Sequence, residues 1–242
     1  MFRIRIQNKK KCIWYCSAVV SFLLFLLLLG WTNHLANTQD AQQMAGRWSE
    51  KKDVAQISCF FSSKAEVTED TIQSFEYSLK NVLQEASITE TSENPSARLW
   101  VDAYSADGKI TLVNGKNTLD ANAIGIGGDF FMFHPLKLIT GSYFSGNDLM
   151  QDYCIIDQDA AWQLFGSNDV VGMTVYIGNV PHIVTGVVQR PDSRMDKAAG
   201  LNSTVVYVSY ETLSAYGTNN GINHYEIVMP NPVDEFAYGK VK

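Results

Sequence analysis

Chemistry needs particular side chains held close together, and this sequence offers several partial matches. Gly108-Lys109 and Gly115-Lys116 could each begin a phosphate-cradling loop, in which backbone N–H groups and the lysine grip a nucleotide. Ile110 and Asn117 follow them, in place of the Ser or Thr that would hold Mg2+. Gly125, Gly127 and Gly128 imitate part of a dinucleotide fingerprint, but Phe130 stands where the third glycine belongs and no βαβ pattern surrounds it. The run Ala123–Phe131 reads instead as a flexible crossing between sheets. Ser142 and Ser145 lack the flanking glycines of a nucleophile elbow. His34, His134, His182 and His224 are scattered, with no second His or Cys at metal-ligand spacing, so each reads as a hydrogen-bonded surface or core group. Asp102 and Asp107 lack the 12-residue spacing and closing Glu of a calcium loop. These residue types predict no catalytic, cofactor-binding or metal site.

Two further groups stay open. Cys59 and Cys154 fall in strand-like runs and could form one disulfide or remain as two buried thiols. Arg190, Asp192, Arg194, Asp196 and Lys197 make a mixed-sign cluster in a Pro-containing connection, either a solvated loop or an exposed surface that touches a partner. Asn202-Ser203-Thr204 matches a glycosylation sequon, which matters only in a secretory eukaryotic host.

The element that would position everything else is Cys12–Trp31, twenty residues without a charge. A helix of about 20 residues matches a hydrocarbon core of about 30 Å. Trp14 and Tyr15 at one end and Trp31 at the other suit the headgroup level. Arg3, Arg5, Lys9, Lys10 and Lys11 precede the span with no acid among them, which places residues 1–11 in the cytosol and residues 32–242 outside. A cleaved signal peptide is the competing reading. Its apolar run would be only about 7–15 residues and would end in a small-residue cleavage site, which the region after Trp31 matches poorly. Five of the 19 basic residues precede Cys12, leaving 14 against 25 acidic residues, a net charge of −11. That balance argues against nucleic acid and against a polybasic grip on anionic lipid.

After the span, His34–Arg47 favours helix by propensity and would continue the membrane helix outward. Asp53–Phe61 alternates as a strand. Thr68 begins a helix as N-cap, with Ile72, Phe75, Leu79, Val82, Leu83 and Ala86 on one face. Arg98–Ala106 and Lys109–Val113 read as strands joined in a hairpin at Asp107-Gly108, with a second tight turn at Asn114-Gly115. Tyr153–Ile156 is a short strand feeding a helix capped by Asp157 or Asp159 and closed by Gly166. Val170–Val188 forms a hairpin whose Gly178-Asn179 suits a type II′ turn, with Pro181 where no ladder donor is needed. Ser203–Ser209, Glu211–Tyr216 and His224–Val228 complete the order as strand, helix and strand. This order predicts an α+β sandwich with helices on one face of the sheet.

Several stretches carry a family likeness. They are Gly141-Ser142-Tyr143-Phe144 with Asp148, Ile155–Phe165 ending before Gly166, Val171-Gly172-Met173-Thr174-Val175, and Val184-Thr185-Gly186-Val187-Val188. In that order, after a basic tail and one apolar helix, the chain resembles the extracytoplasmic core domain of MacB-type ABC transporter permeases, the group related to FtsX-like permeases. Ser142 replaces the family's usual Arg, and the three further membrane helices of those permeases are not among these 242 residues. The resemblance implies a two-lobe α/β ectodomain. One porter-like lobe would span about 53–113 and 203–229, with a mostly-β lobe inserted at about 123–190. It implies a non-catalytic permease subunit, or the N-terminal part of one, in the cell membrane. Its expected partners are a cytosolic ABC ATPase subunit, the lipid bilayer, and a second permease copy or an accessory extracytoplasmic protein. A single-pass membrane-anchored binding or sensing protein is the rival reading.

Overall fold

The computed structural model describes residues 9–49, 53–89, 98–191, 194–198 and 203–242, and these fall into two units, Met1–Gln43 and Met44–Lys242. The basic residues Arg3 and Arg5, Asp192 of the charge cluster and Asn202 of the sequon lie outside the described residues.

The first unit is helix α1, Lys9–Asn37, followed by a single 3-10 turn at Asp40–Gln42. Ile13–Asn37 is long and apolar enough to cross a membrane, about 37 Å at 1.5 Å per residue. Its large apolar side chains, including Phe22, Phe25 and Leu27, are exposed all round. Such a surface suits lipid, where the internal hydrogen bonds of a helix leave no backbone group unpaired.

The second unit opens with α2 (Met44–Trp48), β1 (Val54–Phe60) and α3 (Glu69–Glu85). Helix α3 starts where expected: Thr68 and Thr71 form a capping box, and Glu69 and Asp70 meet the positive end of the helix. Ile72, Leu79 and Leu83 are buried beneath it, each contributing about 1.5–3 kcal/mol by leaving water. Strand β2 runs unbroken over Val101–Asn114 and returns as β3, Asn117–Gly128. Asp107-Gly108 is therefore not a hairpin. Gly108 is needed because the chain crosses it closely, a Cβ there falling 2.3 Å from the Thr218 carbonyl oxygen, while Asp107 is tied to Asn223. The turn is the next one, Gly115-Lys116, with Gly115 at φ +60°. Nor is 123–128 a flexible crossing. Gly125 and Gly127 lie within β3 because Leu213 and the Tyr104 ring occupy the space their side chains would fill.

The chain continues through α4 (Phe130–Phe133), β4 (Leu138–Gly141), β5 (Tyr153–Asp157) and α5 (Gln158–Phe165). Asp157 caps α5 and Gly166 closes it in the left-handed region, as the sequence predicts. Strands β6 (Thr174–Ile177) and β7 (Val180–Val188) form the expected hairpin. Gly178 and Asn179 both have positive φ, so the turn has the type I′ pattern and not type II′. Ile177 and Val180 close this two-residue turn, so the Tyr176–Pro181 pair is a non-hydrogen-bonded one and the missing proline donor is not needed. After α6 (Arg194–Ala198) come β8 (Val205–Ser209), α7 (Tyr210–Tyr216), β9 (Thr218–Asn219), β10 (His224–Pro230) and α8 (Phe236–Val241).

The ten strands of the described residues join one sheet, in the order β1-β10-β2-β3-β8-β5-β7-β4, with β6 bridging β7 back to β2 and β9 against β2. The long β2 pairs with β3 throughout, while its other edge meets β10, then β9, then β6. Pairing thus runs in a circuit through β2, β3, β8, β5, β7 and β6. Among the described residues, β3–β8 and β5–β7 are the parallel pairs, each after a long connection, as parallel pairs require. One core includes Ile110, Leu112, Cys154, Ile156, Val206 and Val208 with side chains from α3, α5, α7 and α8. A second holds Val101, Ile126, Ile155 and Val188 with Met44 of α2 and three phenylalanines of α4. Helices therefore cover both faces. The aromatic plug Phe130–Phe133 accounts for the difference, since its three buried rings close the face that the sequence leaves open.

Candidate functional site

The residues nominated for chemistry are dispersed. His182 is buried: its Nδ1 lies 3.0 Å from the Val180 carbonyl and its Nε2 3.1 Å from Thr212 Oγ1. His224 packs edge-on against Phe60, His34 lies in α1, and His134 pairs with Glu226. Burial alone would raise the Glu226 carboxyl, but the hydrogen bond and charge of His134, helped by Ser58, outweigh it and hold it below its ordinary value. No group of three or more metal-ligating side chains occurs among the described residues. Cys59 and Cys154 are both free thiols, and burial pushes Cys154 up to about 12, which keeps it an unreactive core residue.

The residues that carry the family likeness hold backbone together. Gly141 and Gly186 approach so closely that a side chain on either would meet the neighbouring strand, and Ser142 N–H donates to the Thr185 carbonyl. Tyr143 stacks on Phe131 with ring centroids 4.6 Å apart and hydrogen-bonds the Leu136 backbone. Phe144 is buried edge-on against Phe131. Asp148 accepts from Ser145 N–H at 2.9 Å, shaping a turn that lays Gly146 against Gly127 and Gly128. The three glycines 127, 128 and 146 thus mark one close backbone crossing, visible in the sequence only as Gly-Gly and a distant Ser-Gly.

Beside this scaffold lies a half-open groove of about 740 Å3. Its floor is Ile124, Leu136, Val188, Val205 and Tyr207, from β3, β7, β8 and the 135–137 segment, and Lys137 stands at its edge. The size and apolar lining are those of a small-molecule or peptide site. Burial first, then Asp157 and Tyr143, pushes the Tyr207 phenol up to about 12, so it is a neutral hydrogen-bonding group. At one end Asp157 and Arg190 form a saturated knot. Asp157 Oδ2 accepts from Arg190 Nε at 3.1 Å, Arg190 Nη2 at 2.9 Å and Val205 N–H at 3.1 Å, while Oδ1 caps α5 through Ala160 N–H at 2.7 Å. Arg190 also reaches Thr204 Oγ1 at 2.8 Å and the carboxylate of Asp159. Arg190 is thus not part of a solvated loop: it is mostly buried and doubly paired, and it fastens β5, β7 and β8 together. Sequence reasoning missed this role because Asp157 and Arg190 are 33 residues apart. The groove can bind through apolar contact. Among the described residues that line it, no nucleophile is paired with a base.

A family model described as the MacB-like periplasmic core domain matches residues 20–237. Macrolide export ATP-binding/permease protein MacB of Chromobacterium violaceum is 32% identical over 99 residues, which is 40% of this chain and 15% of that protein. Its counterpart from Pasteurella multocida is 30% identical over 98 residues, 40% of this chain and 14% of the relative. The match therefore spans about 15% of the length of these curated relatives. Among solved structures, the periplasmic region of MacB from Actinobacillus actinomycetemcomitans has 23% identity and a TM-score of 0.44, covering 60% of this chain and 66% of that one. The extracellular domain of the noncanonic ABC-type transporter YknZ from Gram-positive bacteria has 19% identity and a TM-score of 0.46, covering 77% and 89%. An apolar N-terminal helix with a domain of periplasmic type fits a membrane-anchored protein whose folded part is extracytoplasmic. With the family model matching 20–237, the chain belongs to the family of MacB-like periplasmic core domains of ABC transporter permeases.

Proposed function

We propose that this chain is a non-catalytic permease subunit of an ABC transporter, or the N-terminal part of one. Its ectodomain couples ATP-driven movement to extracytoplasmic cargo or an accessory protein, and a separate cytosolic ATPase hydrolyses the nucleotide. The observation that carries this reading is the family match over 20–237, which begins inside the apolar helix and runs through the whole sheet. In this reading α1 runs outward from a cytosolic N-terminus and transmits motion to the domain. The lobes at about 53–113 with 203–229 and at about 123–190 move as units along the shared strands β2 and β3.

A membrane-anchored binding or sensing protein is the second reading, and the 740 Å3 groove favours it. Isolation from native membranes separates the two. Co-purification of an ATP-binding subunit supports the permease, and its absence under conditions that preserve other membrane complexes supports the binding protein.

A further inference from the structure

We propose that the groove beside β3 and β8 binds a small amphipathic carboxylate, its apolar body on the floor and its charged head at Lys137. The site does not depend on whether the chain serves a transporter or a sensor. Strand pleating builds the floor, because alternate residues of a strand share one face. Ile124 lies opposite Tyr207 and Asn122 opposite Val205, which brings these four side chains of β3 and β8 to the groove. Leu136 and Val188 complete the apolar lining. Gln189 N–H donates to the Lys137 carbonyl at 2.8 Å and Leu136 N–H to Tyr143 Oη at 2.9 Å. The 135–137 segment is therefore fixed before any ligand arrives.

Charge decides the class of ligand. Arg190 is taken up by Asp157 and Asp159, and Asp107 is held by Asn223, whose Nδ2 donates to it at 2.6 Å. Lys137 is exposed at the edge, and among the described residues its ammonium has no carboxylate or hydrogen-bond partner. The Tyr207 hydroxyl likewise donates to no protein acceptor among the described residues, and at about 12 its phenol keeps its proton. The groove thus offers donors over an apolar surface and lacks the acceptor that would meet them. A carboxylate answers an ammonium with a charge-assisted hydrogen bond. A ligand amine would meet Lys137 with like charge, and a wholly apolar ligand would cover the tyrosine hydroxyl without a partner. The knot carries two carboxylates against one guanidinium, a net negative charge, so the head belongs at Lys137 and not at Arg190.

The two parts of the ligand contribute differently. A cavity of about 740 Å3 is in the range that encloses a drug-sized molecule, so the apolar body supplies most of the affinity. Each methylene that the floor takes out of water tightens binding by up to about fourfold. Lys137 is exposed, so its pair with the head is partly screened, adds up to about fivefold, and weakens as salt rises. The head therefore sets discrimination between ligands more than total affinity.

The test uses the full chain in lipid nanodiscs, because detergent would compete for the apolar floor. Binding of phenylvalerate, its primary amide and phenylpentylamine is measured by calorimetry, with empty nanodiscs subtracted. The expected result is one saturable site per chain for the carboxylate, about fivefold weaker binding of the amide, and weaker binding still of the amine. Lys137→Met should bring the carboxylate down to the affinity of the amide. Lys116→Met, an exposed lysine at the β2–β3 turn, should leave both unchanged. No saturable binding of the carboxylate, equal affinity for carboxylate and amide, or a preference that survives Lys137→Met overturns the proposal. Carbon-13 methyl spectra of the unchanged chain locate the ligand independently of any variant. Shifts at Ile124, Leu136, Val188 and Val205 support the site, and shifts confined to other methyl groups overturn it. None of these outcomes bears on the ATPase partner, which co-purification tests separately.

Discussion

Replacing Arg190 by methionine tests whether the knot at the end of β5, β7 and β8 holds the domain together. Methionine keeps most of the aliphatic stem and removes the charge. Lost are two bonds to Asp157 Oδ2, one to Thr204 and the ion pair with Asp159. The Asp159 pair contributes about 0–1 kcal/mol, because the side chain of Asp159 is 44% exposed. The side chain of Asp157 is 3% exposed, and removing one partner of a buried pair costs about 3–5 kcal/mol. Asp157 keeps two backbone donors, Ala160 and Val205, so the lower end of about 3 kcal/mol applies. For a domain of this size that is a drop in Tm of about 6–12 °C, read by near-ultraviolet circular dichroism. Asp159→Ala is the control and should lower Tm by no more than about 4 °C. If Arg190→Met costs no more than Asp159→Ala, the knot is surface decoration and the reasoning is wrong.

Three further outcomes follow from the same structure. Gly127→Ala places a Cβ 1.9 Å from the Tyr104 ring and should cost about 1–3 kcal/mol, whereas Gly46→Ala in α2 meets nothing within 4 Å and should stabilise by up to about 1 kcal/mol; urea midpoints distinguish the two. Thr68→Ala removes one half of the capping box of α3 and should cost about 1 kcal/mol by the same assay. Glu226 is held below its ordinary 4.5, so its stabilising contribution is present above that value and fades as pH falls through the lower folded one. His134→Ala should therefore be less stable than the unchanged protein near neutral pH and converge with it in acid. A constant difference from neutral pH into acid would contradict the assigned pairing.

Much of the architecture was legible because local signals and tertiary packing agree. The apolar stripe of α3, its Thr68 cap, the Asp157 cap of α5 and the closing Gly166 all occur where residue type predicts them. The failures share one cause. Asp107-Gly108 and Gly125–Gly128 read as turn or crossing because glycine signals freedom, yet here glycine makes room for Thr218, Leu213 and Tyr104, contacts distant in sequence. The type I′ turn at Gly178-Asn179 depends on positive φ at asparagine, which the Gly-X pattern does not require. Helix α8 was missed because Glu235 precedes it in the left-handed region with no side-chain cap, and α4 because its phenylalanines carry no helical period. The groove assembles from six separate segments, and no spacing in the sequence announces it.

The central claim is that this domain moves in response to a nucleotide hydrolysed elsewhere. The most direct measurement is hydrogen exchange across residues 44–242 in native membranes opened to the cytosolic side, with and without ATP and vanadate. The account predicts altered protection within the sheet domain when nucleotide is trapped at a separate ATPase. Identical exchange in both states, in membranes whose ATPase is active, would contradict it.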